Sequence, residues 1–136
     1  MKKRRIAVVA STFGVGGAEI VTGNVLPRLP RDRYEVRLYF LHDAGSVGRD
    51  LFAEGFDGAE HLCTHRRDVR GVLRLARCFG SFRPGLLWSL DHMDAMWLGR
   101  TAPLLAGIPA TVIASHSTGL LAANGVRRPS FGTRER

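Results

Sequence analysis

Short apolar runs alternate with amphipathic segments along most of the chain, and this alternation constrains the fold more than any other feature. Ile6-Ala7-Val8-Val9-Ala10 is continuously apolar, which is how a strand buried on both faces reads. Tyr34 to Leu41 reads as a second strand, with Val36, Leu38 and Phe40 alternating against Arg37 and Tyr39. A weak strand over Ala59 to Cys63, a buried one at Leu86-Leu87-Trp88 after Pro84, and a last one over Ala110 to Ser115 follow. Between them lie helical patterns. From Ala18 the residues Ile20, Val21, Val25, Leu26 and Leu29 recur at helical spacing until Pro30. Val47 to Glu54 is a short helix ending at Gly55. Asp68 to Phe82 carries an apolar stripe of Val72, Leu73, Ala76 and Phe79 and a basic one of Arg70, Arg74 and Arg77. Asp94 to Leu105 is closed by Gly107 and Pro109. Strict alternation of this kind predicts an α/β fold, a doubly wound Rossmann-like parallel sheet with helices on both faces.

Size and composition fit one domain. The chain has 136 residues, 45% hydrophobic and 24% charged, which excludes disorder, collagen-like repeats and a disulfide-stapled miniprotein. The formal net charge of +8 invites a nucleic-acid partner. Its location argues otherwise. Lys2, Lys3, Arg4 and Arg5 stand at one end and Arg127, Arg128, Arg134 and Arg136 at the other, so residues 6–126 are nearly neutral. No nucleic acid is expected, while a peripheral contact with an anionic membrane face is compatible with the basic segments. The basic start imitates a secretory leader, but Ser11-Thr12 and the glycines cut its apolar run short. Cys63 and Cys78 read as reduced, buried thiols, and no stretch approaches the ~20 apolar residues that span a bilayer, so a cytoplasmic location is expected. Residues 1–118 read as the domain and 119–136 as a basic tail, a truncated continuation of it.

An open parallel sheet binds ligands outside the carboxyl ends of its strands, at the switch point. That rule selects four clusters: Gly14-Val15-Gly16-Gly17-Ala18-Glu19, His42 with Asp43, Ser89 with Asp91, His92 and Asp94, and His116-Ser117-Thr118. Gly14, Gly16 and Gly17 let a backbone approach a ligand closely and present N–H groups where a helix begins, so a diphosphate suits them. Turn geometry alone is the competing reason for the same glycines. Glu19 stabilises the first helical turn yet opposes a phosphate placed nearby. Read as G-x-G-x-x-G, the loop has Glu19 where glycine or alanine is needed, which weakens a dinucleotide reading that Asp43 would otherwise support as the ribose acid. No Gly-Lys-Ser/Thr follows, so a P-loop is absent. Asp91 and Asp94 have capping-box spacing, and Asp91 serves as N-cap or as a hydroxyl-binding acid. His116 can donate to a phosphate or hydroxyl, act as acid or base, or bond backbone. Alternation would leave His61 and His65 on the face of Cys63 with no fourth ligand near, so a zinc site is not expected. The Arg70, Arg74, Arg77 stripe is a solvated face or a membrane contact.

Three stretches, in this order, resemble the N-terminal, acceptor-side domain of family 4 glycosyltransferases with the GT-B fold. They are Ile6 to Glu19 with its Gly-Gly-Ala-Glu core, Leu98-Gly99-Arg100 through Leu105-Ala106-Gly107-Ile108-Pro109, and Val112-Ile113-Ala114-Ser115-His116-Ser117-Thr118-Gly119. The likeness covers about residues 5–119. It implies transfer of a sugar from a nucleotide-sugar donor to a glycan, lipid or small-molecule acceptor, usually with retention, and without a metal or other cofactor. It also implies that Gly16 and Gly17 lie near the donor diphosphate and acceptor, and that His116 faces the cleft as the catalytic candidate. Gly14, Asp91 and Ser117 complete the candidate substrate contacts. Two departures stand out. Asp91 occupies the place where many relatives carry a histidine. The second lobe, which supplies most nucleotide recognition and an E-x7-E pair, is missing, and Glu54 and Glu60 are too close to be that pair. The chain is therefore expected to be a fragment, inactive alone. The alternative is a non-enzymatic Rossmann-type nucleotide or dinucleotide binder.

Overall fold

The computed structural model describes residues 2–65, 68–90 and 101–114. Five strands form one sheet: β1 (Arg4–Ala10), β2 (Tyr34–Phe40), β3 (Asp57–Ala59), β4 (Leu86–Leu90) and β5 (Thr111–Ala114). Their order is β3-β2-β1-β4-β5, and every pairing is parallel. Three helices connect them, α1 (Gly17–Val25), α2 (Gly45–Ala53) and α3 (Val69–Phe82), and residues 101–106 are helical before β5. This is the α/β, Rossmann-like arrangement that the alternation predicts. Parallel strands need crossovers, and the apolar composition of β1 reflects its burial on both faces. Ile6 to Ala10 are all buried in the centre of the sheet.

Side-chain alternation along the strands divides the core into two layers. Ala7, Val9, Tyr39, Leu41 and Leu87 pack with Leu75, Phe79 and Phe82 of α3 and with Ala102. Ile6, Val8, Ala10, Leu38 and Phe40 pack on the other face with Phe13, Leu26 and Leu51. Aromatic edges lock both layers. Tyr39 meets Phe79 at 5.6 Å, and Phe40 meets Phe13 at 5.1 Å and Phe52 at 5.6 Å, all edge-to-face.

Several expected boundaries and faces differ. The first helix ends at Val25, and a 3-10 turn over Leu26–Arg28 replaces its last turn, with Pro27 near its start. The periodic residues Ile20, Val21 and Val25 are exposed, while Thr22 and Leu26 are buried, so the helix lies rotated from its apolar stripe. On α3, Leu73 is likewise exposed and Leu75 takes its place in the core. The weak third strand spans Asp57–Ala59 instead of Ala59 to Cys63. Left-handed backbone at His61 (φ 56°) breaks the alternation, so His61 and His65 do not flank Cys63 on a common face. Among the described residues, no group of three or more His, Cys, Asp or Glu side chains could hold a metal ion. Nor is any described helix long and apolar enough to cross a membrane.

The carboxylate of Asp68 caps α3. Its Oδ1 accepts from the Arg70 N–H at 3.0 Å. Its Oδ2 accepts from the Thr64 N–H at 3.0 Å and the Thr64 hydroxyl at 2.9 Å, and pairs with Arg74 at 3.2 Å. Arg74 also donates to the Leu62 carbonyl at 3.0 Å, so it ties the segment after β3 to α3 and is not part of a merely solvated stripe. The two Thr64 bonds, with those of Arg70 and Arg74, hold the Asp68 carboxyl well below the usual carboxylate range. A lowered folded-state value makes the ionised form stabilising. That contribution is complete above the unfolded value near pH ~4 and declines as pH falls through the folded one. Asp68→Ala is therefore expected to lower Tm at pH 7, with the gap to wild type closing steadily below about pH 4. Thermal melts across that range check it. A gap that widened in acid would refute this account.

Candidate functional site

β1 occupies the middle of the sheet, and the connections from β1 and β4 leave in opposite directions, so the switch point lies between these two strands. The loop after β1, residues 11–16, opens there and leads directly into α1. Its placement comes from one residue. Phe13 is fully buried, its ring against Phe40, its N–H donating to the Ala44 carbonyl at 3.1 Å, and its carbonyl accepting from the Val47 N–H at 3.1 Å. The Ser11 carbonyl accepts from the His42 N–H at 3.0 Å, and the Thr12 hydroxyl bonds the Asp43 carboxylate at 3.3 Å. The loops after β1 and β2 are thus stitched into one edge. Beyond Phe13 the chain turns outward, and Val15 is 81% exposed.

Gly16 is the N-cap of α1, in extended backbone with φ −109° and ψ 161°, and being glycine it supplies no capping side chain. The first N–H groups of α1 therefore form a positive helix end of the kind that favours an anion. A Cβ added at Gly16 would collide with the Glu19 carboxylate, so Glu19 folds back over the Gly16 backbone. Gly14 and Gly17 behave differently. Neither has a left-handed φ, and a Cβ at either meets nothing within 4 Å. Turn geometry does not demand glycine at these two positions, and no described residue fills the space beside them. Glycine costs up to ~1 kcal/mol relative to alanine in helical backbone, and no contact within the described residues repays it at Gly17.

Asp43 stands at the end of β2, where a ribose-binding acid belongs, but its carboxylate already meets Thr12 and, at 3.8 Å, Arg49. Ser89 is wholly buried in β4 and presents nothing to a ligand. Asp91 follows the last residue of β4, and His116 and Ser117 follow β5 by two and three positions. All three, with His92 and Asp94, lie outside the described residues. The structure thus positions Gly14, Gly16 and Gly17 and brings Asp43 to the same edge. Phe13 and Gly45 are the residues that sequence reasoning missed. Their only signals were an aromatic inside a polar glycine loop and a glycine just after the second strand.

Thiol chemistry finds little support here. Neither cysteine forms a disulfide, and Cys63 is buried. Cys78 is half-buried rather than buried, and burial pushes its thiol pKa up, which disfavours the nucleophilic thiolate. A cleft of about 770 Å³ lies at the opposite, amino-terminal edge of the sheet, among Lys2, Lys3, Arg4 and Arg83. Open α/β sheets carry their cofactor and substrate sites at the carboxyl edge, so the glycine loop remains the candidate site. No protein-family model matches the chain, and no curated protein matches it significantly.

Proposed function

We propose that the carboxyl edge of this sheet is the acceptor-side wall of a glycosyltransferase cleft. The reaction moves a sugar from a nucleotide-sugar donor to an acceptor, and this chain supplies one lobe of the enzyme. The observation that carries the reading is the space beside Gly14 and Gly17, unfilled among the described residues, at a helix N-terminus on the switch-point edge. In this reading the loop amides bind a diphosphate oxygen, and His116 positions or polarises the reacting groups. Asp91 and Ser117 contact the acceptor or donor from neighbouring loops. No metal enters, because helix N–H groups supply the positive end. A second lobe completes donor recognition, so the isolated chain binds weakly and turns nothing over.

Amide NMR titration with UDP- and GDP-sugars tests this directly. The expected result is shifts at Gly14, Gly16, Gly17 and the first turn of α1, together with Asp91, His116 and Ser117, without turnover. Shifts with NAD while nucleotide sugars stay silent would establish the dinucleotide binder instead. Robust sugar transfer by the isolated chain would overturn the one-lobe reading. Glu19 supplies a further check, since its carboxylate lies over the Gly16 backbone where a phosphate would sit. Glu19→Gln is expected to tighten inorganic diphosphate binding by about two- to fivefold, the range for removing one charge at a helix N-terminus. Weaker binding in that variant, measured by calorimetry, would place the anion elsewhere.

A further inference from the structure

The amino-terminal edge of the sheet carries a feature that the proposed reaction does not use. Because the strands are parallel, β1, β2 and β4 all begin there. The cleft of about 770 Å³ at this edge has a basic rim and an apolar floor. Lys2, Lys3, Arg4 and Arg83 form the rim, and Ile6 and Leu86 contribute to the floor, with Tyr34 beside them. All four rim residues are exposed, and none meets a carboxylate among the described residues. Arg33, also exposed, adjoins them through its carbonyl, which accepts the Arg4 N–H at 2.8 Å. Among the described residues, no acid lines the cleft itself. Of the acids near it, Glu35 pairs with Arg5 at 3.3 Å and Arg37 at 3.5 Å, and Arg5 also donates to the Phe82 carbonyl at 2.9 Å. Asp57, at the start of β3, lines a neighbouring groove with Lys3, and Asp32 precedes β2, so the rim is a concentrated surface of net positive charge.

We infer that this edge docks the protein on an anionic phospholipid bilayer. Long basic side chains around an apolar floor suit an amphiphile, whose phosphate meets the rim while its glycerol and first methylenes meet Ile6 and Leu86. A nucleic-acid strand would need a row of stacking aromatics, and the cleft offers only half-buried Tyr34. The orientation is consistent as well. At about 3.3 Å per residue, β1 sets the glycine loop roughly 20 Å from the docked edge, so that loop faces the solution. The inference stands independently of the chemistry assigned to the glycine loop.

Vesicle co-sedimentation of the whole chain tests it, comparing phosphatidylcholine vesicles with vesicles of phosphatidylcholine and phosphatidylglycerol in equal parts. Binding is expected only to the anionic vesicles. It should be lost between about 0.1 and about 1 M salt, as the Debye length falls from about 10 to about 3 Å. Lys2→Gln/Lys3→Gln/Arg4→Gln should weaken binding about a hundredfold, at roughly fivefold per basic residue, with an unchanged melting curve. Arg83→Asn, which left-handed backbone tolerates, should weaken it about fivefold. One control removes charge elsewhere, Arg70→Gln at the start of α3. It should stay within about threefold of wild type, because at ~1.5 Å per residue Arg70 lies roughly 20 Å along the helix from Arg83, beyond a Debye length. No binding, equal binding to neutral vesicles, or an equal loss in this control would overturn the inference. So would a single-stranded RNA that binds more tightly than the vesicles through the same residues. Inorganic phosphate that displaces the protein at equal phosphate concentration would show a free-anion site instead of a membrane one.

Discussion

Phe13→Ala is expected to cost about 3–5 kcal/mol of stability and to loosen the glycine loop. Phe13 is fully buried, and its ring sits edge-to-face 5.1 Å from Phe40. Truncation removes that contact and leaves a cavity between the loops after β1 and β2. The lost free energy is a large share of the roughly 5–15 kcal/mol that holds a domain of this kind together. The site suffers separately. Phe13 bonds Ala44 and Val47 through its main chain, so the anchored position of Gly14 to Gly17 depends on the ring staying in the core. Phe13→Leu refills much of the volume and should recover most of the stability. Urea denaturation measures the first effect. Amide exchange at Gly14, Gly16 and Gly17 measures the second, and it should quicken in Phe13→Ala even where the protein stays folded. A loss below about 1 kcal/mol would mean that the ring does not anchor the edge.

How much of this was legible in the sequence depends on what each residue answers to. β1 was readable because a central parallel strand is buried on both faces, so Ile6 to Ala10 needs no partner to declare itself. The start of α3 was readable because Asp68 caps it locally. The face of α1 was not. Ile20, Val21 and Val25 have helical spacing, yet tertiary packing turns Thr22 and Leu26 inward and leaves those three outside. Periodicity gives the presence of a helix, and contacts made far along the chain set its rotation. The third strand failed for a related reason. Asp57-Gly58-Ala59 has no strand-like composition and pairs because Arg37-Leu38-Tyr39 of β2 lies beside it. At the site, the glycines were visible, but their purpose was not. Turn geometry and ligand space select the same residue type, and only the ordinary φ of Gly14 and Gly17 and the space that the described residues leave beside them separate the two. Phe13 and Gly45 escaped because each matters through a contact about thirty residues away.

Gly45→Ala is the second large effect, and Gly107 calibrates it. Both glycines have φ +66°. At Gly107 an added Cβ meets nothing within 4 Å. Gly107→Ala therefore carries only the left-handed backbone cost, about 1–2 kcal/mol, and Gly107→Asn should recover much of that. At Gly45 the added Cβ would strike the Phe13 carbonyl oxygen and carbon and come within 2.8 Å of the Gly14 nitrogen. These are backbone atoms of the anchored loop, and no side-chain rotation relieves them. Gly45→Ala is thus expected to lose more than the Gly107 variant by about 2 kcal/mol or more. Asparagine tolerates the left-handed conformation but brings the same Cβ, so Gly45→Asn should rescue only the backbone share. Parallel denaturation of the four variants separates the two causes. If Gly45→Asn returned to wild-type stability, strain at φ would be the whole effect, and Gly45 would not pack against the glycine loop. If the clash dominates, both Gly45 variants should also shift the amides of Gly14 to Gly17, while both Gly107 variants leave them in place.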